Sequence, residues 1–301
     1  MERIKIGIFG MGNLGRAVED IINSRSDEFE LIQTFDRENG DTIKKFVDKI
    51  DVLLVCVGSS HDAPIIVPKL AKLFNTVDTF DTHTNLEPYI DSVRKSHGKN
   101  PNKVAIVGTG WDPGLLSIIR LYMTSFMPTA TLACFYGKGV SLGHTNAIKN
   151  ISGVLDAVQF TIPIKSSINF AKKGDIPKDK HTRLCYVVAH KQDRVRIKHE
   201  IITMPNYFKP YKTKVKFVSQ KTFDVNFKTR QEHQGLVISK DNNATAEFTV
   251  YMEKNPYFTA QIQLAYAIAA HNLLKDGKHG IFTVADIAPK YLFTRNIIDM
   301  I

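Results

Sequence analysis

Only three cysteines occur among the 301 residues, at positions 56, 134 and 185, each inside an apolar run and far from the others. That scarcity excludes a disulfide framework and suits reduced core thiols in a cytoplasmic protein. No stretch approaches about 18 uninterrupted apolar residues, so no membrane span is expected. The chain opens directly on RIKIGIFG, without the basic and apolar regions of a secretory leader, which predicts a soluble, unprocessed protein. Zinc-finger spacing, an RNP-like aromatic motif and a heptad array are also missing. The formal charge of +10 is therefore read as suiting a small anionic ligand, a nucleotide or a dicarboxylate, and not a nucleic acid. There is no GxSxG elbow, no HExxH and no recognisable Cys–His pair, and His61, Asp62 and His83 form no ligand pattern, so no metal is expected.

What is present points to two domains, since 43% apolar composition over this length supports more than one core. The first 126 residues alternate apolar runs (IKIGIF, ELIQTF, VLLVCV, TVDTF, KVAIVG) with amphipathic stretches at 13–24, 63–74, 87–97 and 114–126. Strands buried on both faces and separated by helices predict an α/β, Rossmann-like doubly wound parallel sheet. From residue 129 longer strand candidates follow (TATLACFYG, AVQFTIPI, RLCYVVA, TKVKFVS, ATAEFTVYM), which predicts an α+β domain on one largely antiparallel or mixed sheet. The expected division is 1–115 for dinucleotide binding, 116–255 for substrate binding and dimerisation, and 256–301 as a helical segment packing back on the first domain.

The sharpest motif is Gly10-Met11-Gly12-Asn13-Leu14-Gly15, directly after an apolar strand and before a helix. In that context the glycines permit a tight turn and close approach to a pyrophosphate held by the helix N-terminus. Asp36, about 20 residues past Gly15, suits the ribose hydroxyls of NAD, while Arg37 suits the 2′-phosphate of NADP. Both cofactors stay open on these residues. A third strand ends in Gly58-Ser59-Ser60, a fourth in VDTFD with Asp78 and Asp81, and a fifth in VGTGWDPG. Polar groups thus gather at one carboxyl edge, where open α/β sheets bind ligands. Asp81 and Asp112 together suit a substrate ammonium. Asp112 equally suits the N-cap of a helix opening at Pro113, and the two roles are compatible.

The segments GMGNLGRAVE, GTGWDPGLLSIIR, GKGVSLGHTNAIKNISGVLDAVQFTIP, TRLCYVV, TMPNYF and KNPYFTA together resemble the meso-diaminopimelate dehydrogenase family, from the first strand to the last helix. The resemblance implies an oxidoreductase for the NADP-dependent oxidative deamination of meso-2,6-diaminopimelate at its D-centre, in lysine and peptidoglycan precursor biosynthesis, and a homodimer. It places the catalytic pair on Asp81 and Asp112. It places cofactor contacts on Gly10, Met11, Gly12, Asn13, Leu14, Asp36, Arg37, Cys56, Val57, Gly58, Ser59, Thr79, Phe80, Asp81, Thr109, Gly110, Trp111, Asp112 and Pro113. Substrate contacts fall on Trp111, Tyr136, Leu142, Gly143, His144, Thr161, Arg183, His233 and Asn255. The chain departs from the family pattern at Tyr136 (Trp), Leu142 (Gln), Thr145-Asn146 (Ser-Asp), RQEHQG (Gly-Met-Pro-His-Gly-Gly) and Asp36-Arg37-Glu38 (Ser or Thr, then two basic residues). A dehydrogenase of another D- or diamino acid is the alternative.

Overall fold

The structure, a computed structural model, describes residues 2–59, 61–82, 85–98, 102–205, 207–294 and 298. In chain order the first elements are β1 (Ile4–Phe9), α1 (Asn13–Ser24), β2 (Phe29–Phe35), β3 (Val52–Val55), α2 (Ala63–Leu70), β4 (Thr76–Asp78), α3 (Leu86–His97), β5 (Val104–Val107) and α4 (Leu115–Phe126). Then come β6 (Thr131–Tyr136), β7 (Gly139–Val140), α5 (Leu142–Lys149), β8 (Val154–Pro163), α6 (Lys165–Lys172), β9 (His181–Ala189), α7 (Arg194–Thr203), β10 (Lys212–Phe217) and α8 (Gln220–Asn226). β11 (His233–Lys240), β12 (Thr245–Met252), α9 (Asn255–Lys275) and β13 (Gly280–Thr283) complete it. The chain divides into two compact units, Met1–Ile118 with Pro256–Ile301, and Ile119–Asn255.

The first unit holds a parallel six-stranded sheet in the order β2-β1-β3-β4-β5-β13. β3 and β5 read VLLV and VAIV, and every residue of both is buried, as a strand covered by helices on both faces requires. One face packs Ile4, Ile6 and Ile8 with Val18 of α1 and Leu264 and Ala267 of α9. The other packs Leu53 and Val55 with Val67 of α2 and Val93 of α3. The order in which strands are added reverses at β1 and β3, β2 lying on one side and β3 to β5 on the other, which leaves a crevice at the carboxyl ends of those two strands.

The second unit has two sheets where one was expected, a mixed four-stranded one (β10-β9-β8-β7) and an antiparallel three-stranded one (β12-β11-β6). The two are laced together by residues 137–140. Gly137 and Val140 donate to the carbonyls of Gln234 (2.7 Å) and Glu232 (2.9 Å), and Gly139 pairs with Thr161. No helix among the described residues is long and apolar enough to cross a membrane.

Candidate active site

β1 passes into α1 through Gly10–Gly15. Gly10 has φ +102°, where a Cβ meets the Cys56 carbonyl oxygen at 2.6 Å, and a Cβ on Gly15 meets the Gly10 carbonyl oxygen at 2.0 Å. These two glycines serve the turn's packing on itself. Gly12 differs, because a Cβ there has nothing within 4 Å. α1 has no side-chain cap and no acidic residue in its first turn. Its leading N–H groups and positive dipole end are therefore left to an anion, which fits a dinucleotide pyrophosphate. Asn13 is exposed, and Met11 and Leu14 are half-buried.

At the end of β2 the two opposed signals separate. Asp36 Oδ1 accepts from the backbone N–H groups of Glu38 (2.8 Å) and Asn39 (3.3 Å), and Asn39 Oδ1 accepts from the Asp36 N–H (2.8 Å). That carboxylate oxygen is committed to its own turn. The Arg37 side chain is 94% exposed, with Nη2 3.9 Å from Asp62 Oδ1. Arg37 is thus the group presented to a ligand, and it fits a 2′-phosphate.

At the β3 edge the buried Cys56 thiol donates to Gln263 Oε1 (3.3 Å), while Gln263 Nε2 donates to the carbonyls of Val77 (3.0 Å) and Val55 (3.4 Å). Burial pushes the Cys56 thiol up to about 12, so it stays protonated. Val57 is half-buried and Gly58 exposed. Ser59 Oγ accepts from the Asp81 N–H (3.1 Å), joining the β3 and β4 edges. Ser60 and His83 lie outside the described residues.

β4 leads through Thr79 and the buried Phe80 to the exposed Asp81, and β5 through Gly108, Thr109, Gly110 and Trp111 to the half-buried Asp112. The expected helix start at Pro113 is corrected here. α4 begins at Leu115, and its first amides donate to the carbonyls of Gly110 (3.1 Å, from Leu115) and Trp111 (2.9 Å, from Leu116). The cause is a fold-back of residues 110–114, in which Gly110 and Gly114 form a bridge. Gly114 has φ +131°, and a Cβ there falls 1.6 Å from the Gly110 oxygen. Asp112 therefore lies three residues before the first residue of α4. Between the two edges sits Asp78, fully buried, whose carboxyl is raised to about 6 chiefly by burial.

In the second unit, β8–β9 pairing sets Thr161 opposite Arg183, and Arg183 Nη1 donates to Thr161 Oγ1. The guanidinium carbon lies 4.1 Å over the Tyr211 ring, and Arg183 is only 7% exposed, with Nε lacking a hydrogen-bond partner among the described residues. Burial and the Arg183 charge push His144 and His181 down to about 4, and burial lowers His233, with Arg183 contributing. The result is a buried cation among neutral imidazoles with no salt-bridged carboxylate among the described residues. Such a charge is costly unless an anion joins it. His144 sits between Ser141 Oγ (2.8 Å to Nδ1) and the rings of Tyr207 and Phe208, with its Nε2 buried.

His181 and Tyr211 escaped the sequence reading. The signal for His181 was its place two residues before Arg183, on the same face of a strand. Its Nε2 accepts from the Tyr136 N–H (2.7 Å) and its ring stacks on Tyr136 at 5.5 Å. Tyr136, Thr161, Arg183 and His233 thus share one region. Leu142 and Gly143 are exposed at the start of α5, and Asn255 opens α9 with its N–H on the Gln231 carbonyl (3.1 Å).

Residues 110–254 match the family described as Diaminopimelic acid dehydrogenase C-terminal domain. The chain is 40% identical to a meso-diaminopimelate D-dehydrogenase of Acetivibrio thermocellus, over 97% of this chain and 95% of that protein. With the enzyme of that name from Corynebacterium glutamicum it shares 38% identity over 100% and 99% of the two chains. A solved structure of C. glutamicum DAP dehydrogenase in complex with DAP superposes with TM-score 0.94 at 35% identity, covering 100% of this chain and 98% of that one. An engineered D-amino acid dehydrogenase bound to NADP+ superposes with TM-score 0.89 at 34% identity, covering 99% and 98%.

Proposed function

The chain belongs to the meso-diaminopimelate D-dehydrogenase family, and on that premise we propose that it catalyses the NADP-dependent, reversible oxidative deamination of meso-2,6-diaminopimelate at the D-centre, giving L-2-amino-6-oxopimelate and ammonia. It is an oxidoreductase acting on an amino acid, and in the aminating direction it serves lysine and peptidoglycan precursor biosynthesis. The observation that carries the substrate class is Arg183, a buried guanidinium without a salt-bridged carboxylate among the described residues. A substrate with a second carboxylate satisfies it, whereas a monocarboxylic amino acid held only by its reacting end leaves it unpaired.

NADP+ bound at the β1–β5 edges supplies the hydride acceptor for the substrate Cα–H. Gly12 and the α1 N-terminus receive the pyrophosphate, and Arg37 receives the 2′-phosphate. Asp81 and Asp112 hold the D-amino group, and their negative charge stabilises the iminium left when hydride departs. One of the two then takes a proton from the water that adds to the iminium carbon and returns it to the carbinolamine nitrogen, so that ammonia leaves as the hydroxyl gives up its own proton and becomes the oxo group. Arg183, with the Thr161 hydroxyl, grips the distal carboxylate and so selects which centre reacts. Tyr136, Leu142, Gly143, His144, His233 and Asn255 complete the substrate wall, and Trp111 borders the nicotinamide. We assign the protein to the cytoplasm as a homodimer. The buried, reduced Cys56 and Cys185 support the first, and the exposed apolar side chains of Tyr122 and Phe126 support the second.

Asp112→Ala tests the catalytic pair. Turnover falls about 100-fold or more while NADPH affinity stays within about threefold, as loss of a transition-state contact predicts. Normal turnover in that variant overturns the assignment.

A further inference from the structure

Asp81 and Asp112 leave the sheet from different strands, so something must hold their two segments in step. Asp78 Oδ1 accepts from the Phe80 N–H (2.9 Å) and the Gly108 N–H (3.3 Å), and Oδ2 accepts from the Tyr89 hydroxyl (2.8 Å). Its backbone carbonyl accepts from both the N–H and the hydroxyl of Thr109, each at 2.9 Å. One residue is thereby bonded to the position just before Asp81 and to two consecutive positions on the way to Asp112. The third anchor is itself fixed, because Tyr89 of α3 stacks flat on Phe80 with centroids 3.9 Å apart and planes 8° apart.

A carboxylate is a costly way to fill this space. Burial raises its pKa, and the titratable group facing it is the Tyr89 phenol. An apolar side chain avoids that cost but orphans three donors. We propose that Asp78 is the positioning residue of the reaction, whose side-chain bonds to Phe80, Gly108 and Tyr89 set the spacing of Asp81 and Asp112 on the substrate amino group. The proposal rests on the reading of Asp81 and Asp112 as the pair that meets that group. Asp78 is only 1% exposed and acts through the segments it holds.

The test uses the full-length enzyme with meso-diaminopimelate and NADP+. In Asp78→Asn, Oδ1 still accepts both backbone N–H groups, and Nδ2 donates to the Tyr89 hydroxyl, so only one bond is reversed. This variant keeps kcat within about fivefold, whereas Asp78→Val loses about 100-fold or more in kcat/KM for the diamino acid. Tyr89→Phe, which keeps the ring stack, loses about fivefold in kcat/KM with KM for NADP+ unchanged. NADPH affinity, read by fluorescence titration, stays within about threefold in all three variants. Should Asp78→Val not fold, Tyr89→Phe and Asp78→Asn carry the test.

Wild-type kcat/KM in Tyr89→Phe or in a folded Asp78→Val overturns the proposal. So does an Asp78→Asn as inactive as Asp78→Val, because the charge would then matter and not the bonds. The wild-type rate with the meso isomer tests the proposed activity separately, so the two claims fail independently.

Discussion

Asp36 and Arg37 stand side by side and pull cofactor choice in opposite directions when only residue types are considered. The structure separates them by where their polar atoms go. Asp36 Oδ1 closes a turn on the Glu38 and Asn39 N–H groups, and Arg37 projects outward. Arg37→Ala is accordingly expected to raise KM for NADP+ about tenfold or more, the loss of a charge-assisted contact, with KM for NAD+ changed less than about twofold. An equal rise for both cofactors contradicts this reading, and steady-state kinetics decides. The same lesson holds at VDTFD. Residue type marks Asp78 and Asp81 alike, and only tertiary packing makes the first a buried anchor and leaves the second exposed.

At the scale of elements, legibility followed burial. VLLV and VAIV are uniformly apolar because both faces are covered, and they were readable as strands for that reason. β11 was not, although it is the central strand of its sheet, because His233, Gln234 and Gly235 dilute its apolar run. β13 gains its place by pairing with β5, a partner far away in the chain that local pattern does not reveal. The helix start at Pro113 failed similarly, since the fold-back of Gly114 onto Gly110 is a backbone contact that composition does not announce.

Two glycines turn this into a prediction. Gly114→Ala places Cβ against the Gly110 carbonyl at a φ that suits glycine, and should cost about 3 kcal/mol or more in thermal or chemical unfolding. Gly12→Ala meets no protein atom, so stability should hold within about 1 kcal/mol while NADPH affinity falls about tenfold, because the new methyl occupies the pyrophosphate's approach. Loss of stability in Gly12→Ala with affinity retained contradicts the assignment of that turn.

Over the whole molecule, two features suit small anions within the scattered net charge of +10, the uncapped N-terminus of α1 and the buried Arg183, which has no salt-bridged carboxylate among the described residues. In the proposed reaction the first unit supplies the groups for the cofactor and the reacting amino group, and the second supplies the carboxylate grip of Arg183. The substrate is best decided by direct comparison. The decisive measurement is NADPH formation at 340 nm with the meso, LL and DD isomers of diaminopimelate and with a small D-amino acid such as D-alanine, ammonia being quantified in parallel. The account predicts rapid NADPH formation with the meso isomer, one ammonia released per NADPH, and little with the others. Turnover of the small D-amino acid without turnover of the meso isomer would contradict it.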